Sequence, residues 1–397
     1  MNIRERGLRL AGSTAARRFA SASLLTALFT GAAACGSDSP AASSGGDGAG
    51  GAAFAPAAHT PFPVLVNQGG PVLDEAELIT ITFPDFVDKD AVEQFGDWFM
   101  TSDFYTTMGA EYGLKAGRHL AKVALPDDVP KSDGALRHLL IDRIADGTLP
   151  DPAQHGQAMY VAYLPPGAKW NGGVPFCGAA AAYHDVFEVN GVQATYAIVG
   201  DCEPMPDYGA VSNASHEIIE MATDPFITGW YVNPGKTDAW HYMYDDEIAD
   251  MCEYFPIVMV DGFPLTRYWS NEAAKADKNP CLPVPDDDPV YREVSSDPAT
   301  IVHVKPGEST TFTLTGWSTA PTDPWAIFAE VEPAYSDFTY YHNKITLDLG
   351  TKILGNGDTS QLTVTMPTGV ASGKTAIIGI YSDKTYGEAW YIGVISD

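Results

Sequence analysis

The change in hydrophobic pattern around Pro283–Pro289 is the feature that most constrains the fold of this chain. Before it, segments with strand-like alternation are mixed with segments whose apolar residues have helical spacing. After it, seven short apolar runs between Thr300 and Ile395 are separated by Gly, Pro, Asn and Asp turns. The sequence therefore predicts an α+β domain over residues 61–285 and an all-β sandwich of immunoglobulin-like class over residues 290–397.

Several elements of the first domain can be placed individually. Apolar, β-branched and aromatic runs predict strands, whereas apolar residues at helical spacing or behind an N-cap predict helices. The predicted strands are Glu77–Phe83, Gln157–Leu164 and Gln193–Val199. The predicted helices are Asp90–Met108, as one helix or two short ones, and Ser132–Ile144.

Residues 1–35 are typical of an export signal. Five arginines precede Ser23–Ala34, an apolar stretch too short to remain in a bilayer as a spanning helix. The stretch ends in three alanines and Cys35, which resembles a bacterial lipobox with Cys35 as the acylated residue. Cleavage of a plain signal peptide among the alanines is the alternative. Residues 36–60, rich in Ala, Gly and Ser, are predicted to form a flexible tether. We expect an exported protein, either a cell-envelope lipoprotein or an extracellular one.

The charge balance limits the partners. The chain has 51 Asp and Glu against 23 Lys and Arg, a formal net charge of −28. Such acidity argues against nucleic acid and anionic membrane surfaces as partners. We therefore expect contact with the membrane only through the lipid anchor, and a peptide or a cell-envelope polymer as the partner.

Four cysteines remain once Cys35 is assigned to lipid. An even number in an exported protein favours disulfides, and four cysteines allow three connectivities. The spacing lacks the CxxC pairs of a zinc ribbon. We favour nearest-neighbour pairing, Cys177–Cys202 and Cys252–Cys281, which closes two modest loops on either side of His216.

The strongest chemical motif is His216-Glu217-Ile218-Ile219-Glu220. On a helix the first and fifth residues lie one turn apart on the same face, so His216 and Glu220 can reach one metal ion. Glu217 stands where zinc peptidases have the general base for the attacking water. A hydrogen-bonded network of histidine and carboxylates without metal is the alternative.

A catalytic metal site needs a third ligand from elsewhere in the chain. Glu247 and Asp250 resemble the Glu ligand and the His-bracing Asp of thermolysin-like peptidases, although they are three residues apart and not four. Glu247 is therefore the predicted third ligand, and Asp250 is predicted to brace His216 or to serve as an alternative ligand. Asp224, eight residues after His216, is an alternative ligand or simply the residue that ends the helix before Pro225. His184 either lines the site or has a structural role.

The predicted cofactor is a divalent metal ion, and Zn2+ is the favoured one. The ligands His216, Glu220 and Glu247 would leave Zn2+ with no net charge, which makes it a weaker Lewis acid than a histidine-rich site does. Oxygen-rich ligation also admits Ca2+ or Mn2+.

An ordered series of short segments resembles the EXORDIUM-like (phosphate-induced protein) family over about residues 75–285. The segments are Phe176-Cys177-Gly178, Tyr183-His184, Tyr196–Val199, Ser215–Glu220, Thr223-Asp224-Pro225 with Trp230, Glu247–Glu253 and Tyr268–Asn271 with Cys281. The resemblance implies an extracellular protein with a zincin-like HExxE helix, and hence a zincin-like form of the α+β domain.

Two functions follow as hypotheses. The first is a surface-anchored, metal-dependent hydrolase, specifically a metallopeptidase with Glu217 as its catalytic base. The second is a non-catalytic cell-envelope module that binds wall polymer or a partner protein. Glu217 favours the enzyme, because a binding module needs metal ligands but no base.

Overall fold

The computed structural model describes residues 54–178, 180–202, 209–232, 239–240, 247–253, 255–284, 289–332, 336–337, 345–382 and 389–397. The predicted signal segment, Cys35 and most of the predicted tether lie outside these ranges. No helix within the described ranges is long and apolar enough to cross a membrane.

The helices of the described residues are short and all lie before residue 276. They are α1 (Lys89–Phe99), α2 (Asp103–Gly109), α3 (Asp133–Ala145), α4 (Ala210–Thr223) and α5 (Asn271–Lys275), with 3-10 turns at Ala110–Tyr112, Phe176–Gly178 and Asp250–Cys252.

Strands make up most of the regular structure. The first thirteen are β1 (Leu65–Asn67), β2 (Glu77–Thr82), β3 (Arg118–Ala124), β4 (Ala158–Leu164), β5 (Lys169–Trp170), β6 (Val174–Pro175), β7 (Ala182–Val189), β8 (Val192–Gly200), β9 (Trp230–Val232), β10 (Val258–Val260), β11 (Phe263–Leu265), β12 (Tyr268–Trp269) and β13 (Cys281–Leu282). The others are β14 (Arg292–Asp297), β15 (Val302–Val304), β16 (Ser309–Ser318), β17 (Trp325–Val331), β18 (Thr346–Leu349), β19 (Ile353–Leu354), β20 (Thr359–Thr365), β21 (Thr375–Ser382) and β22 (Ala389–Ser396).

A five-stranded mixed sheet supports the first part of the chain. Its strand order is β3-β2-β4-β8-β7, and the first four strands are parallel. Only the edge strand β7 is antiparallel, joined to β8 by a tight hairpin. Every residue of β4 is buried, which explains its unbroken apolar sequence: parallel strands covered on both faces need apolar side chains in both directions.

Helices cover both faces of this sheet. On one face Met159 and Val161 of β4 belong to the same core cluster as Ile218 and Ile219 of α4. On the other face the alternate residue Tyr160 packs in a cluster with the buried side of α3. Because α4 buries its two isoleucines against the sheet, the polar residues around them are held in fixed positions.

The N-cap of α3 is the one that the sequence predicts, whereas the start of α4 differs. The hydroxyl oxygen of Ser132 accepts a hydrogen bond from the backbone N–H of Ala135. For α4 the sequence offers Ser212-Asn213 as the cap, but the helix begins earlier, after Gly209 and without a side-chain cap. Asn213 instead lies inside the helix and donates from Nδ2 to the carbonyl oxygen of Gly200 at 3.0 Å. That bond ties α4 to the end of β8.

The last third of the chain forms two sheets. One has the order β14-β16-β20-β18 and is antiparallel throughout, and the other has the order β15-β22-β21-β17-β19. In the second sheet β15 runs parallel to the final strand β22.

The predicted fold class, an α+β zincin-like domain followed by an immunoglobulin-like sandwich, is wrong. The chain is mainly β, with 37% of its residues in strands and 20% in helices, and no clear immunoglobulin sandwich is present among the described residues. In the part of the chain that the structure describes, the strands are divided among seven sheets, four of them two-stranded. Many of these strands are only two or three residues long, which is too short to show a period in the sequence.

An aromatic cluster joins the two parts of the chain. Phe62 contacts Trp269 of the first part and Trp317 of the second, with ring centroids 5.7 and 5.4 Å apart. His59 stacks on Trp317 at 3.7 Å. Thr60 donates from its hydroxyl to the carbonyl oxygen of Ser296. The end of the predicted tether is thus bound to the folded protein.

Two disulfides lie on either side of α4 along the chain, and both are the nearest-neighbour pairs. Cys177 is bonded to Cys202, and Cys252 to Cys281, with Cα atoms 5.4 and 5.6 Å apart. Disulfides form and persist in oxidising compartments, so they indicate an extracytoplasmic environment.

Candidate metal centre

Helix α4 carries the polar residues of the HExxE motif into the protein interior. The side chains of Glu217 and Glu220 are 5% and 3% exposed, and that of His216 is 14% exposed. Burial of this degree is unusual for carboxylates, which are seldom fully buried unless they are paired. The residues that pair with these buried side chains therefore define the site.

One group of possible ligands contains His216, Glu220 and Asp250. His216 Nε2 lies 3.2 Å from Glu220 Oε1 and 3.1 Å from Asp250 Oδ1. Asp250 begins the 3-10 turn that contains Cys252, so the second disulfide holds this turn beside α4. One donor atom from each residue lies within 4.8 Å of the other two.

A second group contains His184, Glu220 and Glu247. His184 Nδ1 lies 3.7 Å from Glu220 Oε2, and His184 Nε2 lies 3.6 Å from Glu247 Oε1. His184 reaches the site from the antiparallel edge strand β7, and its side chain is 4% exposed. These three residues also offer donor atoms within 4.8 Å of one another.

Glu220 belongs to both groups and turns one oxygen towards each. Its Oε1 accepts hydrogen bonds from the backbone N–H groups of Ala249 (3.2 Å) and Asp250 (3.0 Å) and faces His216. Its Oε2 faces His184. The two backbone bonds fix the orientation of the carboxylate, which therefore lies between the two imidazoles.

Glu217 contacts His184. Nδ1 of His184 donates to Oε2 of Glu217 at 3.2 Å, between two buried side chains. The hydrogen bond requires a proton on Nδ1, and the other ring nitrogen, Nε2, lies on the side of Glu247.

Asp224 stands at the end of α4. Its Oδ1 accepts hydrogen bonds from the backbone N–H groups of Thr228 and Gly229, both at 2.6 Å, which closes the turn after the helix. Its carboxyl group also lies against that of Glu247. Asp224 thus has the predicted helix-ending role and also borders the second group.

The clustering of acidic groups changes the proton affinities. Burial and the charge of Asp250 raise the pKa of Glu220 to about 7, although His216 opposes the shift. Burial tends to lower the pKa of His184, but its hydrogen bond to Glu217 and the neighbouring carboxylates outweigh burial and raise it to about 9. The pKa of His216 lies well above its usual value, because Glu220 and Asp250 outweigh the effect of burial. The centre attracts positive charge, as protons or as a cation.

The structure brings together every residue that the sequence singled out here, but in a different grouping. The trio of His216, Glu220 and Glu247 is not one of the two convergent groups, because His216 faces one oxygen of Glu220 and Glu247 lies with His184 on the other side. A carboxylate oxygen of Asp250 lies within 4.8 Å of the ligand atoms of His216 and Glu220, so Asp250 can itself be a ligand. The backbone donors to Glu220 were not predicted, since no side-chain pattern encodes them.

Comparisons with known proteins do not assign the chain to a family. No family model matches it, and no curated protein matches it. Solved structures with some likeness include a C. elegans MSP family member at 12% identity and TM-score 0.19, covering 27% of this chain and 100% of that one. A family 123 glycoside hydrolase from Clostridium perfringens has 8% identity and TM-score 0.19, covering 27% of each chain. Scores this low establish neither a shared fold nor a shared function.

Proposed function

We propose that this protein is an exported, metal-dependent hydrolase whose metal ion is held by Glu220 of α4 together with His216. The third ligand would come from the segment that contains Glu247 and Asp250. The observation that carries the proposal is the buried carboxylate of Glu220, oriented by two backbone hydrogen bonds and lying 3.2 Å from the imidazole of His216.

The negative charge of the buried carboxylates supports the proposal that a cation binds here. Carboxylates that lose contact with water are stable only when they are paired, protonated or bound to metal. Glu220, Glu217 and Glu247 are each at most 7% exposed in their side chains, and among the described residues two histidines, His184 and His216, accompany them. A divalent cation would supply the missing positive charge without requiring the carboxylates to take up protons.

The donor set fits a divalent metal. Imidazole and carboxylate are ordinary ligands of Zn2+, and a site richer in oxygen than in nitrogen also suits Mn2+ or Ca2+. With His216, Glu220 and Asp250 as ligands, Zn2+ would carry no net charge. We therefore expect slower hydrolysis than at histidine-rich zinc sites.

A metal held at this site would act as a Lewis acid towards a carbonyl or similar group of the substrate. Glu217 is the proposed general base, since its carboxylate lies on the same helix as His216 and Glu220. Its hydrogen bond with His184 gives it a buried partner that can hold or release a proton. The proposed substrates are peptides or a cell-envelope polymer, and the proposed location is the cell surface, through a lipid on Cys35. The EXORDIUM-like resemblance agrees with an extracellular role.

The burial of the site favours a second candidate function. His184 and Glu220 are 4% and 3% exposed, so the described residues leave a substrate little direct access to them. A non-catalytic cell-envelope module, in which a metal stabilises the fold and the protein binds wall polymer or a partner, would have such a site.

The test is to purify the full-length chain without chelators and to measure its metal content and its cleavage of a broad peptide library. The hydrolase proposal predicts bound divalent metal, and cleavage that stops after chelation and returns when metal is restored. Bound metal without cleavage would favour the binding module. Absence of metal would contradict both.

A further inference from the structure

We propose that the site holds two divalent cations, bridged by Glu220, rather than one. The second cation would be bound by Nε2 of His184, Oε2 of Glu220 and the carboxylate of Glu247. This inference rests on the proposed function because it shares Glu220 with the metal site described above. It adds a ligand group that the HExxE motif does not contain.

The environment of His184 is the first support. Nδ1 of this imidazole donates to Glu217, and Nε2 is buried without a hydrogen bond within the described residues. It lies 3.6 Å from Glu247 Oε1, beyond the usual length of a hydrogen bond. Histidines that bind metal typically donate the other ring N–H to a carboxylate, which sets the tautomer and the ring orientation. His184 and Glu217 have this relationship.

The orientation of Glu220 is the second support. Its Oε1 is on the side of His216 and Asp250, and its Oε2 is on the side of His184. A carboxylate that presents its two oxygens to two separate groups of ligands has the geometry of a bridge. In two-metal hydrolases the ions lie roughly 3.5–4 Å apart.

The charge of the site is the third support. The carboxyl groups of Glu217, Glu220, Glu247, Asp224 and Asp250 all lie within the two groups or contact them. If all five are ionised and the imidazoles are neutral ligands, one divalent cation compensates less than half of the negative charge. Two cations compensate most of it, and Asp224 also accepts two backbone hydrogen bonds. A buried site favours such compensation strongly.

The experiment uses the full-length chain, freed of metal by a chelator and titrated with Mn2+. We expect two equivalents to bind, and an electron paramagnetic resonance spectrum of two coupled Mn2+ ions once both sites are filled. Two equivalents with only the spectrum of isolated ions would overturn the bridge by Glu220. One equivalent in total would overturn the second site and leave the proposed function intact. No binding would overturn both.

Variants assign each equivalent to its side of Glu220. His184→Ala should bind one equivalent, in the site beside His216, and lose the coupled spectrum. His216→Ala should also bind one equivalent and lose the coupled spectrum, but its ion should occupy the site beside His184. His138→Ala is the matched control, because His138 is an exposed residue of α3 on the opposite face of the sheet. This variant should still bind two. If His184→Ala still binds two coupled ions, the proposed ligand set is wrong. The wild-type titration keeps the test valid even if a variant fails to fold.

Discussion

His184 Nδ1 donates a hydrogen bond to Glu217 Oε2 at 3.2 Å, and both side chains are buried. The contact joins the edge strand β7 to helix α4 and gives the predicted base a partner that the motif alone does not reveal. It also means that Glu217 has two possible roles, as a general base for hydrolysis and as the group that orients His184. The two roles respond differently to substitution.

Glu217→Gln separates these roles. The amide oxygen of glutamine can still accept the hydrogen bond from His184, so we expect the fold and the bound metal to be retained. The amide cannot take up a proton from water, and loss of a general base typically reduces the rate about 10²–10⁴-fold. The measurement is a peptide-library digest by both proteins, with the metal content of each determined. Glu188→Gln, at an exposed position of β7, is the control and should cleave as the wild type does. Equal cleavage by wild type and Glu217→Gln would show that another group is the base.

Glu220 should be necessary for metal binding, and its replacement should also loosen the segment that follows residue 247. Glu220→Ala removes the acceptor for the N–H groups of Ala249 and Asp250, and an unsatisfied buried group costs about 1–3 kcal/mol. Glu220→Gln keeps a neutral acceptor and should be destabilised less, although it too should lose metal. Denaturant unfolding of the metal-free proteins measures the first effect, and elemental analysis measures the second. Full metal retention in both variants would exclude Glu220 as a ligand.

The sequence predicted the individual elements around the site better than their arrangement. Strand β4 and helix α3 are close to their predicted positions, because a buried apolar run and a serine N-cap are local signals. The fold class was wrong, since pairings such as β1 with β9 connect residues far apart in the chain through strands of three residues. No local pattern encodes those contacts.

The same limit explains the site. The i, i+4 spacing predicted that His216 and Glu220 would meet, because that contact depends only on helix geometry. The position of His184 depends on the antiparallel pairing of β7 with β8, which sets His184 opposite Ala197. Asp250 lies beside His216 and Glu247 lies beside His184. This arrangement depends on the hydrogen bonds that the backbone N–H groups of Ala249 and Asp250 donate to Glu220. These contacts depend on the tertiary structure. A single sequence therefore could not show which of the candidate residues lie beside His216 and which lie beside His184.

The ion pair between Arg143 and Asp127 should make part of the stability dependent on pH. Hydrogen bonds from Arg143 lower the pKa of Asp127 below its usual value. A carboxyl group whose pKa is lower in the folded state stabilises the protein above its unfolded pKa, near 3.9, and this contribution is lost as the pH falls through the folded value. Asp127→Asn should therefore be less stable than wild type at pH 7, and the difference should shrink steadily below about pH 4. Urea unfolding at a series of pH values measures it. Asp142→Asn, on the same helix as Arg143, is the control for the loss of one carboxylate. An Asp127→Asn difference that is the same at every pH would contradict the prediction.

The disulfide between Cys252 and Cys281 should affect both stability and metal binding. It anchors the turn that begins at Asp250, so its removal should allow Asp250 to move away from His216. Removing a native disulfide typically costs about 2–5 kcal/mol. We expect the double variant Cys252→Ser/Cys281→Ser to be destabilised by an amount of that order and to bind metal more weakly beside His216.

The matched comparison is Cys177→Ser/Cys202→Ser. This disulfide closes a loop of similar length, 25 against 29 residues of separation, on the side of β7 and β8. Thermal unfolding and metal titration of both variants separate a general loss of stability from a specific loss of ligand position. Equal weakening of metal binding by the two pairs would show that the second disulfide has no special role at the site.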